Sequence, residues 1–211
     1  DEYVDIPFIG IPGTIDNDIV GTDYTIGYDT ALNTVVEAVD KIRDTASSHN
    51  RLFFIEVMGR DAGFIAVEGG IASGAEAIFV PELRDQAANL KNFLEKGFKR
   101  RKSSNIIIVA EGDEEGGAMQ IAQKVKKDFG EYSVRVSILG HIQRGGTPSA
   151  SDRYNGSLLG YHAVEALLDD QKSVMIGIKN NEVVHVPFRK VIKQHKHVDH
   201  SILEMAEILS V

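Results

Sequence analysis

The sequence predicts an α/β protein built mainly on parallel sheet. Three observations predict it. Short apolar runs alternate with amphipathic stretches of helical length along the whole chain, the pattern of right-handed βαβ units. The run over residues 105–110 is nearly all β-branched, as suits a strand buried on both faces. Polar, Gly-containing segments that carry Asp, Glu, His and Arg follow several of these runs. In an open α/β sheet, that is where ligands bind.

The elements follow in chain order. Residues 6–9 read as a strand ending at Gly10, and a long amphipathic helix starts near Tyr28. Residues 51–58 form a buried strand around Leu52-Phe53-Phe54-Ile55. Residues 62–73 form a helix rich in Gly and Ala, built for close packing. Residues 77–80 are a short strand stopped by Pro81, which has no N–H for a ladder. An amphipathic helix covers 86–101, followed by the strand at 105–110, a helix at 117–129 and a strand at 133–139. A helix at 149–169, strands at 174–178 and 183–186, and helices from about Asp199 complete the chain. No internal repeat and no Pro- or Gly-rich linker marks a boundary, so two lobes would be joined by several crossings.

Composition narrows the function. The 211 residues, 43% of them hydrophobic, suffice for one large or two small packed domains. No apolar run is long enough to span a bilayer and no signal-peptide pattern opens the chain. The chain has no cysteine, which excludes disulfide and thiolate chemistry and suits a cytoplasmic protein. A net charge of −8 argues against a nucleic-acid surface. Basic side chains nevertheless concentrate at Arg51, Arg60, Lys99 to Lys102, Arg135 and Arg144. That suggests small anionic ligands; the plainer alternative is solvated faces. The chain opens on Asp1-Glu2-Tyr3 rather than Met, and it carries no phosphate-cradling Gly loop. Both features predict that an N-terminal part is missing.

Pro12-Gly13-Thr14-Ile15-Asp16-Asn17-Asp18 is the most informative stretch. It places a hydroxyl and two carboxylates on a loop at a strand end. A carboxylate that takes a proton from an alcohol, beside a hydroxyl that holds a phosphoryl oxygen, equips a site for phosphoryl transfer. Asp-Asn-Asp alone also fits an ordinary turn, because short polar side chains bond their own backbone. Further strand ends share the architecture. Met58-Gly59-Arg60 offers close backbone approach and a fixed charge. Glu111-Gly112 offers a carboxylate for sugar hydroxyls, or simply an exposed loop Glu. In Leu139-Gly140-His141-Ile142-Gln143-Arg144-Gly145-Gly146, His141 and Arg144 bracket a tight turn where both could hold one phosphate ester. Arg51 and Arg135 open their strands at the opposite edge, so any substrate they bind would be a neighbouring subunit's.

These motifs in this order, PGTIDND, KIRDTASSHNR, EVMGR, AEG and LGHIQRGG, resemble the bacterial phosphofructokinase family from about Ile9 to the C-terminus. The resemblance implies three-layer αβα, Rossmann-like, mainly parallel sheets in two lobes, the first incomplete. It implies a remainder of the ATP-binding lobe at 1–26, a fructose-6-phosphate lobe at 27–140, a return segment at 141–195 and a C-terminal helix at 196–211. The family's polypeptide is about half as long again, and its N-terminal part carries the Gly-rich ATP loop and a GGDG-type magnesium site.

By the same resemblance, Asp16 is the base for the sugar 1-hydroxyl, Thr14 holds the transferred phosphoryl group, and Asp18 supports the Mg²⁺ and phosphoryl geometry. Arg60 offsets charge developing in the transition state. Met58, Gly59 and Glu111 meet the fructose part, with Ile15 beside them, and His141, Ile142, Gln143 and Arg144 form the 6-phosphate segment. Arg51 and Arg135 complete a neighbour's site in a homotetramer. Arg43, Gly74, Ala75, Glu76, Arg100, Lys102, Ser103 and Ser104 match an effector site for ADP and phosphoenolpyruvate, although Ser103 stands where the family often has Lys. The substrates implied are fructose 6-phosphate and ATP. A pyrophosphate-dependent relative would resemble PKTIDND, so Gly13 favours ATP. A non-catalytic sugar-phosphate binding module is the alternative outside the enzymes; Asp16 argues against it, since binding alone needs no base.

Overall fold

The computed structural model describes residues 6–45, 51–83, 105–114, 116–128 and 133–209. The helix expected over 86–101 lies outside the described residues. The chain divides into two compact units, residues 1–30 with 147–196 and residues 31–146 with 197–211.

The first unit holds a three-stranded sheet of order β1-β6-β7. Strand β1 is only Ile9–Gly10, shorter than the run from residue 6 predicts. Pro7 cannot donate to a ladder, and pairing is confined to Ile9↔Val174 and Gly10↔Met175, parallel to β6 (Val174–Lys179). Strand β7 (Glu182–Pro187) runs antiparallel to β6, a departure from mainly parallel pairing. Only Asn180 and Asn181 connect the two, both with positive φ. A two-residue connection of that geometry makes a hairpin and is far too short for a crossover. Helix α4 (Ala150–Leu168) lays Leu159, Ala163 and Ala166 on Ile176 and Ile178, with Ile9, Ile26 and Val183 around them. A one-turn helix, α5 (Phe188–Val191), follows β7 without any periodic signal in the sequence.

The second unit holds a wholly parallel sheet of order β3-β4-β2-β5, made by Ala77–Phe79, Asn105–Ala110, Arg51–Val57 and Ser133–Ile138. All six residues of β4 are buried, as the β-branched run predicts. One face of the sheet (Leu52, Phe54, Ile107, Val109) packs on Ala118, Ile121, Ala122 and Val125 of helix α3 (Gly117–Asp128). On the other face, helix α2 (Phe64–Ser73) comes so close that a Cβ at Gly70 would stand 2.5 Å from Ile78 Cδ1. Helix α1 (Tyr28–Thr45) buries Ala31, Val35 and Val39, four residues apart, and Val35 lies against Gly69 of α2. Helix α6 (His200–Leu209) also packs on α2. This unit is therefore a three-layer αβα sandwich with the carboxyl ends of its strands on one side.

Candidate active site

In the first unit, the loop after β1 carries Thr14, Asp16 and Asp18. Asp16 is only 6% exposed. Its backbone N–H donates to Thr14 Oγ1 at 3.2 Å, a local turn that faces the hydroxyl oxygen back on the chain. Asn17 is buried and left-handed, with φ 54°, a conformation that Asn tolerates better than most residues. The loop is strapped from the chain segment that follows it. The Thr25 hydroxyl donates to Thr14 O at 2.7 Å, and Ile26 N donates to Pro12 O at 2.9 Å. Farther on, Thr22 accepts from Ile178 N at 3.1 Å, Lys196 N donates to Asp18 O at 3.2 Å, and Ile19 bridges His195. Ile15 is half-buried. A Cβ at Gly13 would meet nothing within 4 Å.

In the second unit, three strand-end segments meet. Gly59 has φ 146°, and a Cβ there would stand 2.4 Å from Ala62 O. Arg60 is exposed and left-handed with φ 53°, and its backbone N–H donates to Glu111 Oε1 at 2.9 Å. Glu111, at the end of β4, thus holds the Arg60 backbone with one carboxylate oxygen. A Cβ at Gly112 would lie 2.0 Å from Arg60 O, so only glycine fits the close pass of these loops. The segment after β5 forms a 3₁₀ turn, Gly140–Arg144. His141, Ile142 and Arg144 are exposed, whereas Gln143 is 1% exposed. The Gln143 amide accepts from Met58 N at 3.2 Å and donates to Gly140 O at 3.0 Å. Gln143 therefore joins two strand ends from the inside.

Arg51 opens β2 as expected, and its guanidinium donates to Thr45 O at 3.2 Å. Arg135 does not open its strand: it is the third residue of β5, paired with Phe53, while Arg51 pairs with Ser133. Both arginines lie on the same face of neighbouring parallel strands. Strand β5 is an edge strand, and Arg135 is exposed on it.

Of the residues matched to an effector site, Arg43, Gly74, Ala75 and Glu76 come together. Arg43 Nη2 donates to Ser73 O at 2.8 Å and Gly74 O at 2.9 Å, and Nη1 lies 3.6 Å from Glu76 Oε1. A guanidinium at the last carbonyls of α2 suits the helix dipole. Glu76 is buried and accepts from Ile106 N at 2.6 Å, and Ala75 N closes on Gly70 O. Arg100, Lys102, Ser103 and Ser104 lie outside the described residues. No group of three His, Cys, Asp or Glu side chains could hold a metal among the described residues. Asp18, half-buried on the loop after β1, offers one carboxylate beside that of Asp16.

The sequence model of the family described as Phosphofructokinase matches residues 1–167. The chain belongs to the phosphofructokinase family. It is 56% identical over 207 residues to ATP-dependent 6-phosphofructokinase 2 of Bacteroides thetaiotaomicron, covering 98% of this chain and 64% of that protein. It is 50% identical over 205 residues to ATP-dependent 6-phosphofructokinase of Cytophaga hutchinsonii, covering 97% and 62%. The chain thus spans less than two thirds of these curated phosphofructokinases. Among solved structures, phosphofructokinase from Saccharomyces cerevisiae superposes with a TM-score of 0.83 at 33% identity, over 97% of this chain and 27% of that one. Pyrophosphate-dependent phosphofructokinase from Marinobacter aquaeolei superposes with a TM-score of 0.80 at 26% identity, over 92% and 54%. The Rossmann-like α/β fold is therefore the phosphofructokinase fold. No described helix is long and apolar enough to cross a membrane.

Proposed function

We propose that this chain works as an ATP-dependent 6-phosphofructokinase, a cytoplasmic glycolytic phosphotransferase. The reaction moves the γ-phosphoryl group of ATP to the 1-hydroxyl of fructose 6-phosphate and gives fructose 1,6-bisphosphate and ADP. The observation that carries the reading is the buried Asp16 carboxylate on a loop with the Thr14 hydroxyl. Asp16 takes the proton of the 1-hydroxyl as its oxygen bonds to the γ-phosphorus, while the bond from that phosphorus to the bridging oxygen breaks and ADP leaves. Thr14 holds the transferred group. Asp18 would support the binding of Mg²⁺, which would supply neutralisation of phosphate charge. The reading gives Arg60 the role of offsetting developing charge, and it gives Ile15, Met58, Gly59, Glu111, His141, Ile142, Gln143 and Arg144 the sugar-phosphate contacts. It gives Arg51 and Arg135 to a neighbour's site in a homotetramer. It gives Arg43 and Glu76, with Gly74, Ala75, Arg100, Lys102, Ser103 and Ser104, to binding of ADP or phosphoenolpyruvate as effector.

Replacing Asp16 by Ser in the full-length natural enzyme tests the base. Turnover should fall by about 10²–10⁴-fold, the usual contribution of a general base, with sugar-phosphate affinity nearly kept. Unchanged turnover in a coupled assay removes Asp16 from that role. The pyrophosphate-dependent reading has only the 26% likeness to the Marinobacter enzyme behind it, whereas Gly13 and the names of the curated relatives favour ATP. A Cβ added at Gly13 enters open space. Gly13→Lys should therefore damage ATP use more than pyrophosphate use; equal ATP kinetics in wild type and variant defeat the steric argument.

A further inference from the structure

We propose that Asp152, on α4, is a positioning residue for the loop that carries Thr14 and Asp16; its effect on turnover rests on the functional reading above. Asp152 is 4% exposed. Acidic side chains are almost never that buried unless paired. Its described partners are N–H groups and a hydroxyl. Oδ1 accepts from Gly27 N at 2.8 Å, and Oδ2 accepts from Thr30 N at 2.8 Å and from the Thr30 hydroxyl. These two N–H groups belong to the start of α1, where backbone donors lack partners within the helix and the dipole favours a negative charge.

The sequence Ser149-x-x-Asp152 has the spacing of a capping box, in which the acidic side chain would turn back to the Ser149 N–H. Half of the box forms: Ser149 Oγ accepts from Asp152 N at 3.1 Å. The other half is diverted. The carboxylate goes to α1, and Ser149 N donates instead to Thr30 Oγ1 at 3.1 Å. Two helix starts far apart in the chain are thus joined by one carboxylate and one hydroxyl.

The join reaches the loop through two residues. Gly27, held by Asp152, follows Thr25 and Ile26, which bond Thr14 O and Pro12 O. Gly27 has φ 103°, and a Cβ there would stand 3.4 Å from Ile15 Cγ2. Fixing Gly27 therefore fixes the strap that holds Pro12 and Thr14, and through the Asp16 N–H to Thr14 bond it sets the base. The described bonds of Asp152 go to Gly27, Thr30 and Ser149, so it acts on the loop through them.

The test uses the full-length natural enzyme with Asp152→Asn, which keeps shape but turns one acceptor into an NH₂ group facing N–H donors. Hydrogen–deuterium exchange at residues 14–18 should speed up. Turnover should fall by about tenfold to a hundredfold, the scale of a misplaced catalytic group, with the sugar-phosphate KM nearly unchanged. Thr30→Val removes only the hydroxyl and should act in the same direction more weakly, and Thr30→Ser should restore both readouts. That pair decides the question should Asp152→Asn fail to fold. Faster exchange confined to residues 27–30, or full turnover with only a lowered melting temperature, overturns the proposal. A wild-type enzyme inert toward fructose 6-phosphate with ATP would defeat the functional reading instead, while exchange at residues 14–18 would still decide the role of Asp152.

Discussion

The Thr14–Asp18 loop of the first unit and the Met58–Arg60 loop of the second both follow a parallel strand, yet they are held by different means. The first hides the Asp16 carboxylate and is tied down by the Thr25 hydroxyl and the Ile26 backbone N–H. The second leaves its arginine exposed and holds only the backbone, with a left-handed Arg60, the Glu111 and Gln143 side chains on backbone N–H groups, and a glycine pass at Gly112. Under the roles proposed for Asp16 and Arg60, the difference teaches what each charge needs. A base works when it is shielded and pre-aimed, so its surroundings close over it. A cation that meets a mobile phosphoryl group needs reach, so rigidity is confined to the backbone beneath it.

Of two variants that compare the loops, the one with the larger expected effect breaks the second. Gly112→Ala puts a Cβ where Arg60 O stands 2.0 Å away, with Asp61 Cα at 3.5 Å beyond it. Backbone lies on that side, so no flexible side chain can yield. The Arg60 loop must move, at a cost of about 1–3 kcal/mol in stability, as overpacked sites show. Turnover of the full-length enzyme should drop by about a hundredfold, because small displacements of a positioning loop cost that much. Denaturant unfolding and steady-state kinetics check both. Wild-type values in both would mean that the close pass at Gly112 imposes nothing on Arg60.

The same contrast explains what could be read in the sequence. Strand ends announce themselves, because glycines and charges cluster right after apolar runs, and the Asn105–Ala110 strand is legible from its side chains alone. The buried role of Gln143 was hidden because its neighbours His141 and Arg144 face outward. The signal lay in the period: in a 3₁₀ turn residues three apart eclipse, which brings Gln143 over Gly140, its own partner. The join made by Asp152 was half legible, as a Ser-x-x-Asp helix start. Its reach to Gly27, 125 residues away, was not, since no local pattern encodes a contact at that separation. The position of Arg135 inside β5 depends on register with β2, which apolar patterning fixes only to the face.

The smaller effect sharpens the comparison from the first loop. Thr25 is buried, and its single hydroxyl proton goes to Thr14 O at 2.7 Å, leaving Asn17 Oδ1 at 3.4 Å as a weaker neighbour. Thr25→Val keeps the shape and removes the donor. A buried acceptor stripped of its partner costs about 1–3 kcal/mol. Thr14 is only half-buried, so water can reach part of its surroundings and the cost should fall at the low end, near 1 kcal/mol. Turnover should fall only a few-fold, because the Ile26 bond to Pro12 O still holds the loop. Thr25→Ser restores the donor and should recover most of both losses. The order of the two variants is the decisive result. A missing hydrogen bond can be replaced by water, whereas a Cβ against a backbone oxygen cannot be relieved without moving the chain. If Thr25→Val proves as damaging as Gly112→Ala, the two loops are held with equal stringency, and the distinction between a closed base and an open cation fails.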